Sequence, residues 1–181
     1  MASLGHVAVG MAAARAYRAD GPHRWTLFSS MVLWSGLSLL PDADVIGFRF
    51  GVAYADAWGH RGAAHSLGFA MLLGLAIGLL APLLRLPALK TGLLAALVVA
   101  SHGLLDTLTD GGLGCALFWP WSDARYFAPW RPLRVAPIGR AFLSFAGLRV
   151  ASTELVLFAP LIGYALWPRA RARRSATSER A

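Results

Sequence analysis

Two runs of this chain, Trp25 to Pro41 and Ser66 to Leu84, contain no charged residue. Each is close to the roughly 17–25 residues a helix needs to cross the hydrocarbon core of a bilayer. Lipid offers the backbone no hydrogen-bond partner, so an uncharged run of this length is read as a spanning helix. Thr91 to Leu108 and Ala151 to Trp167 repeat the pattern with interruptions. His102 and Asp106 break the first and Glu154 the second, giving each one apolar and one functionalised end. Residues 3–17 predict a shorter, alanine-rich helix that packs against the others without a complete crossing. The expected fold is all-α: a polytopic membrane helical bundle of about four to five membrane-associated helices. Residues 1–167 are expected to form one membrane-embedded domain, followed at 168–181 by a basic, disordered tail.

Composition agrees with this class. The chain is 57% hydrophobic and 14% charged, against roughly 45–50% and about 25% in a soluble domain. A formal charge of +8 raises the question of nucleic acid. However, Lys90 is the single lysine, and the densest basic run is Arg169, Arg171, Arg173 and Arg174, next to a predicted membrane helix. Such a run suits topology and anionic lipid better than base recognition, so no nucleic-acid partner is expected. Cys115 is the sole cysteine, which excludes an intrachain disulfide and a cysteine zinc knuckle. No cation precedes the first apolar stretch and no convincing cleavage site follows it, so residues 1–20 are not read as a removable signal.

Topology follows from the cations. Arg15, Arg18 and Arg24 fall between the first and second helices, Arg85 and Lys90 between the third and fourth, and the basic tail follows the fifth. The positive-inside rule makes that side cytoplasmic. The opposite side receives His6, Asp42, Asp44, His60, His65, His102, Asp106 and Glu154. One segment opposes the rule: Thr109 to Val150 also faces outward and carries Arg125, Arg131, Arg134, Arg140 and Arg149. It also holds Phe118, Trp119, Trp121, Tyr126, Phe127 and Trp130, a mixture suited to the headgroup layer.

The outward residues are candidate metal ligands. His102 and Asp106 are four apart, so on a helix they share a face. A carboxylate within a membrane helix costs roughly 2.5–3.5 kcal/mol and requires a partner; a metal-free His–Asp pair is the plain alternative. Asp42 and Asp44 offer two hard oxygen donors where a solvated loop is the plain alternative. His60 and His65, five apart, do not align on a regular helix, so a turn permitted by Gly59 and Gly62 is expected between them, with Ser66 capping the helix that follows. Arg61, set between two candidate ligands, has a planar fork suited to a phosphate oxygen. His6 and Glu154 are weaker candidates that share the same side, and His23, on the cytoplasmic side, is expected to take no part. A catalytic zinc normally takes three protein ligands, so seven candidates suggest two or three ions. Gly74 and Gly78 are expected to form a helix-packing face.

Taken together, these motifs resemble the LexA-regulated, membrane-bound predicted metal-dependent hydrolases of the bacterial inner membrane. The resemblance runs from His6 through Pro41-Asp42-Ala43-Asp44, the Gly59 to Ser66 segment, the Ser101 to Thr109 segment, and Gly111-Gly112 to Phe118-Trp119-Pro120. It implies a helical membrane hydrolase distantly similar to zinc-dependent phospholipase C. Its metal ligands would be His6, Asp42, Asp44, His60, His65, His102 and Asp106, holding two or three zinc ions, or manganese or iron. On this reading the enzyme sits in the inner membrane with its site at the outer face and cleaves a phosphoester of a lipid or lipid-linked substrate by a metal-activated water. Asp44 or Glu154 would accept the proton and Arg61 would bind the phosphoryl group. The rival expectation is a non-enzymatic metal-binding or metal-transport protein, because ionisable residues in membrane helices also mark ion paths.

Overall fold

The computed structural model describes residues 3–18, 26–135, 137 and 139–168. His23, Arg24, Trp25 and the basic run from Arg169 lie outside the described residues. Among the described residues there are five α-helices: α1 (Ser3–Tyr17), α2 (Leu27–Leu39), α3 (Leu67–Leu80), α4 (Ala88–Thr107) and α5 (Phe145–Leu166). Among the described residues there is no strand, only isolated bridges joining Thr109 to Leu133 and Cys115 to Tyr126. The all-helical bundle expected from the apolar runs is the fold observed.

Among the described residues, four segments are long and apolar enough to cross a membrane: Leu27–Phe50, Leu67–Leu84, Ala88–Thr107 and Phe145–Leu166. Their bounds depart from the uncharged runs for local reasons. The first does not stop at Pro41. Pro41 lacks an amide hydrogen but sits at the start of a 3₁₀ segment, Leu40–Phe50, where that hydrogen is not needed. Asp42 and Asp44 are therefore on helical backbone rather than in a loop. The last helix begins at Phe145, capped by the Ser144 hydroxyl, and includes Arg149, whose charge ended the uncharged run early. Thr26 and Ser66 cap α2 and α3 in the same way.

Packing explains the small residues. A Cβ on Gly74 would lie 2.5 Å from the Ala96 Cβ and 2.7 Å from the Gly92 carbonyl oxygen, so α3 and α4 meet almost backbone to backbone. The short α1 is the hub of the bundle and packs on α2, α4 and α5. Its Gly10 lies against the Ser35 backbone, and the Ser35 hydroxyl donates to the Val7 carbonyl at 3.1 Å. The helices' outward faces carry exposed leucines such as Leu75, Leu79, Leu89 and Leu97, the surface expected of a lipid-facing bundle. Away from the candidate ligands, Lys90 donates to the Tyr17 carbonyl and Arg15 to that of Trp167, tying together the ends of α1 and α5 and the start of α4.

Candidate metal centre

Helices that alternate in direction bring the start of α1, the end of α2, the start of α3 and the end of α4 to one end of the bundle. His6 lies in α1, Asp42 and Asp44 on the 3₁₀ continuation of α2, and His65 just ahead of α3. His102 and Asp106 lie on α4. The approach of α4 to the histidine turn needs a glycine, since a Cβ on Gly103 would fall 2.1 Å from the His65 carbonyl oxygen. All seven candidate ligands converge there, and all but Asp44 are buried.

Two groups result. Asp42, His65, His102 and Asp106 are all buried, with donor atoms within 4.8 Å of one another. His65 Nε2 lies 3.1 Å from His102 Nε2, 3.5 Å from Asp42 Oδ1 and 3.7 Å from Asp106 Oδ2. His102 Nε2 lies 3.4 Å from the same Asp42 oxygen. Asp44, His60 and His65 form the second group, with Asp44 Oδ1 2.7 Å from His60 Nδ1 and Oδ2 3.1 Å from His65 Nδ1. His6 joins from α1: its ring stacks on His102 with centroids 3.7 Å apart, and its Nε2 is 3.4 Å from Asp106 Oδ1.

The donor set suits a cation. Both Asp42 oxygens are buried without a hydrogen bond, which is costly for a carboxylate. Neighbouring donors around an ion with bonds of roughly 2.0–2.2 Å stand about 2.8–3.6 Å apart, from octahedral to tetrahedral arrangements. The contacts of 3.1, 3.4 and 3.5 Å fall in that range. The buried Asp–His cluster can therefore hold a metal ion. Burial alone would lower the pKa of His65, but Asp42 and Asp44 on its two sides outweigh it and raise the value to about 9. Cys115, close by, is pushed up to about 12 by burial and stays a thiol.

The remaining expected residues take different positions. Arg61 is fully buried at φ 64, a left-handed conformation uncommon outside glycine. Its Nη1 donates to the Gly111 carbonyl at 2.8 Å, its Nε lies 3.0 Å from Asp106 Oδ2 as an ion pair, and neither Nε nor Nη2 makes a hydrogen bond. The fork expected to grip phosphate is thus largely committed within the protein. Glu154 Oε2 accepts from the backbone amides of Leu4 and Gly5 at 2.7 and 3.2 Å, fixing the first turn of α1 and hence His6.

Sequence reasoning missed two supports. The Ser38 carbonyl lies 2.7 Å from His102 Nδ1. Arg125, assigned from sequence to the headgroup layer, donates to the carbonyls of His60, Tyr54 and Asp56 at 3.0, 3.1 and 3.1 Å, clamping the histidine turn. Both contacts end on backbone oxygens, which carry no residue-type signature.

A family model described as YdjM inner membrane protein matches residues 1–174. The chain belongs to the YdjM inner membrane protein family. It is also similar to the inner membrane protein YbcI of Escherichia coli (strain K12), 40% identical over 132 residues that cover 72% of this chain and 74% of that protein. No solved structure matches. Together with the four candidate spans, these relationships make it a multi-pass inner-membrane protein.

Proposed function

We propose that this YdjM-family chain is a membrane-bound metal-dependent hydrolase that cleaves a phosphoester of a lipid or lipid-linked substrate, with its site at the outer face of the inner membrane. The observation that carries the reading is the buried set Asp42, His65, His102 and Asp106: the first three present donor atoms to one another at ligand-to-ligand distances, and Asp106 Oδ2 lies 3.7 Å from His65 Nε2. Two imidazoles and two carboxylates suit zinc, manganese or iron. Bound there, such an ion would supply a Lewis acid and a water activated near neutral pH.

The chain's own residues supply the rest. Arg61 keeps Nη2 available for a phosphoryl oxygen while its Nε steadies Asp106. His6 has both ring nitrogens free of hydrogen bonds and its Nε2 lies 3.4 Å from Asp106 Oδ1. Of the expected proton acceptors, Asp44 already faces His60, His65 and the Arg61 amide, and Glu154 holds the start of α1. An ion path would spread its ligands through the bilayer, whereas these gather at one end of the helices, which favours a hydrolase over a transporter. The outer-face assignment rests on the cations Arg15, Arg18, Arg85 and Lys90 at the other end.

The test is metal analysis of the purified protein together with a screen of phospholipids and soluble phosphodiesters, before and after chelation. Bound metal and hydrolysis that disappear and return together support the reading. Hydrolysis that survives thorough demetallation rejects it.

A further inference from the structure

We infer that the centre takes a single divalent cation on Asp42, His65, His102 and Asp106, and that Asp44 is a positioning residue rather than a ligand. This rests on the metal-binding reading above and departs from the two or three ions that the ligand count suggested. Two observations carry it.

The first is how the imidazoles are turned. His102 Nδ1 lies 2.7 Å from the Ser38 carbonyl, which can only accept, so Nδ1 carries the hydrogen and the Nε2 lone pair faces the group. His65 Nδ1 lies 3.1 Å from Asp44 Oδ2 as an ion-pair contact without a hydrogen bond, and its Nε2 is the atom turned toward His102 and Asp42. A histidine whose second nitrogen is held by a carboxylate or a carbonyl is the usual support of a metal ligand. A neutral imidazole has one lone pair, so His65 serves one ion.

The second is the engagement of Asp44. Oδ1 lies 2.7 Å from His60 Nδ1, and Oδ2 lies 3.1 Å from His65 Nδ1 and accepts from the Arg61 amide at 3.1 Å. An ion on Asp44 and His60 would have to displace these contacts, and the His60 ring is packed edge-on against Tyr54 and His65 at centroid distances of 5.2 and 5.4 Å. Asp42 has no such engagement, since both its oxygens lack hydrogen bonds.

The experiment uses the full chain purified in detergent, stripped with chelator and titrated with Co²⁺ and Zn²⁺. The cobalt absorption should saturate at one equivalent, and mass spectrometry should count one zinc per chain. Two or three tightly held ions overturn the inference, and none at all overturns the metal-binding reading beneath it. In Asp44→Asn the stoichiometry should stay at one while affinity falls about 10–100-fold, with an altered cobalt spectrum at an unchanged folded fraction by circular dichroism. Unchanged affinity and spectrum would reject the positioning role. Asp42→Asn should lose the ion. The wild-type stoichiometry decides the count even where a variant does not fold.

Discussion

The Nε2 atoms of His65 and His102, 37 residues apart in the chain, face each other across 3.1 Å inside the bundle. Neighbouring ligands of one ion stand at such a distance, and Asp42 Oδ1 completes the triangle at 3.5 and 3.4 Å. His65→Ala and His102→Ala should therefore each lose bound metal and hydrolysis together, with one missing imidazole as damaging as the other. Metal content by mass spectrometry and hydrolysis rate on the same preparations check this. Retention of metal in both variants would remove the pair from the centre.

Removing the metal should expose a pH dependence. His65 has its folded pKa at about 9, above the ordinary 6.5, because Asp42 and Asp44 flank it. Its protonated form thus favours the fold, a contribution complete below about pH 6.5 and lost as pH rises through about 9. The thermal midpoint of the chelator-treated protein should fall across that window. Metal affinity should rise over the same window, because the ion replaces the Nε2 proton. A midpoint that climbs from pH 6.5 to 9 would contradict the assignment.

Arg61 separates holding a ligand from binding substrate. Its Nε lies 3.0 Å from Asp106 Oδ2 and its Nη1 bonds the Gly111 carbonyl, a span that the single ammonium of lysine cannot reproduce. Arg61→Lys should weaken metal binding about 10–100-fold, the usual loss when a ligand's support is removed. Arg61→Ala should cost about 3–5 kcal/mol by removing the guanidinium paired with the buried Asp106 carboxylate. Calorimetric metal titration and thermal unfolding read the two effects. Full metal affinity in Arg61→Lys with impaired turnover would instead assign the whole guanidinium to substrate.

Glu154 should prove structural. Its Oε2 holds the amides of Leu4 and Gly5, the start of the helix that carries His6. Glu154→Ala orphans both amides and should destabilise the protein by about 1–3 kcal/mol. Glu154→Gln keeps an acceptor oxygen and should retain most stability and hydrolysis. If Glu154→Gln is as inactive as a variant lacking His65 while its unfolding midpoint is unchanged, the carboxylate acts in the chemistry.

The bundle was legible in the sequence because the bilayer imposes a length and a lack of charge on any spanning segment, as Ser66 to Leu84 shows. The candidate cluster was legible too, since carboxylates and imidazoles are costly in apolar helices and here fell at alternate helix ends. Gly74 and Gly78 announced the close approach of α3 and α4. The division of roles was not legible. Asp42 and Asp44 are two residues apart and chemically identical, yet one has no hydrogen bond and the other contacts His60, His65 and the Arg61 amide. Arg125 reads as an interfacial cation until its three bonds to backbone carbonyls of the histidine turn are seen. The sequence determined which groups must be sheltered from lipid. Only the tertiary structure decided which partner each received, because that depends on side-chain direction and on backbone oxygens that every residue possesses.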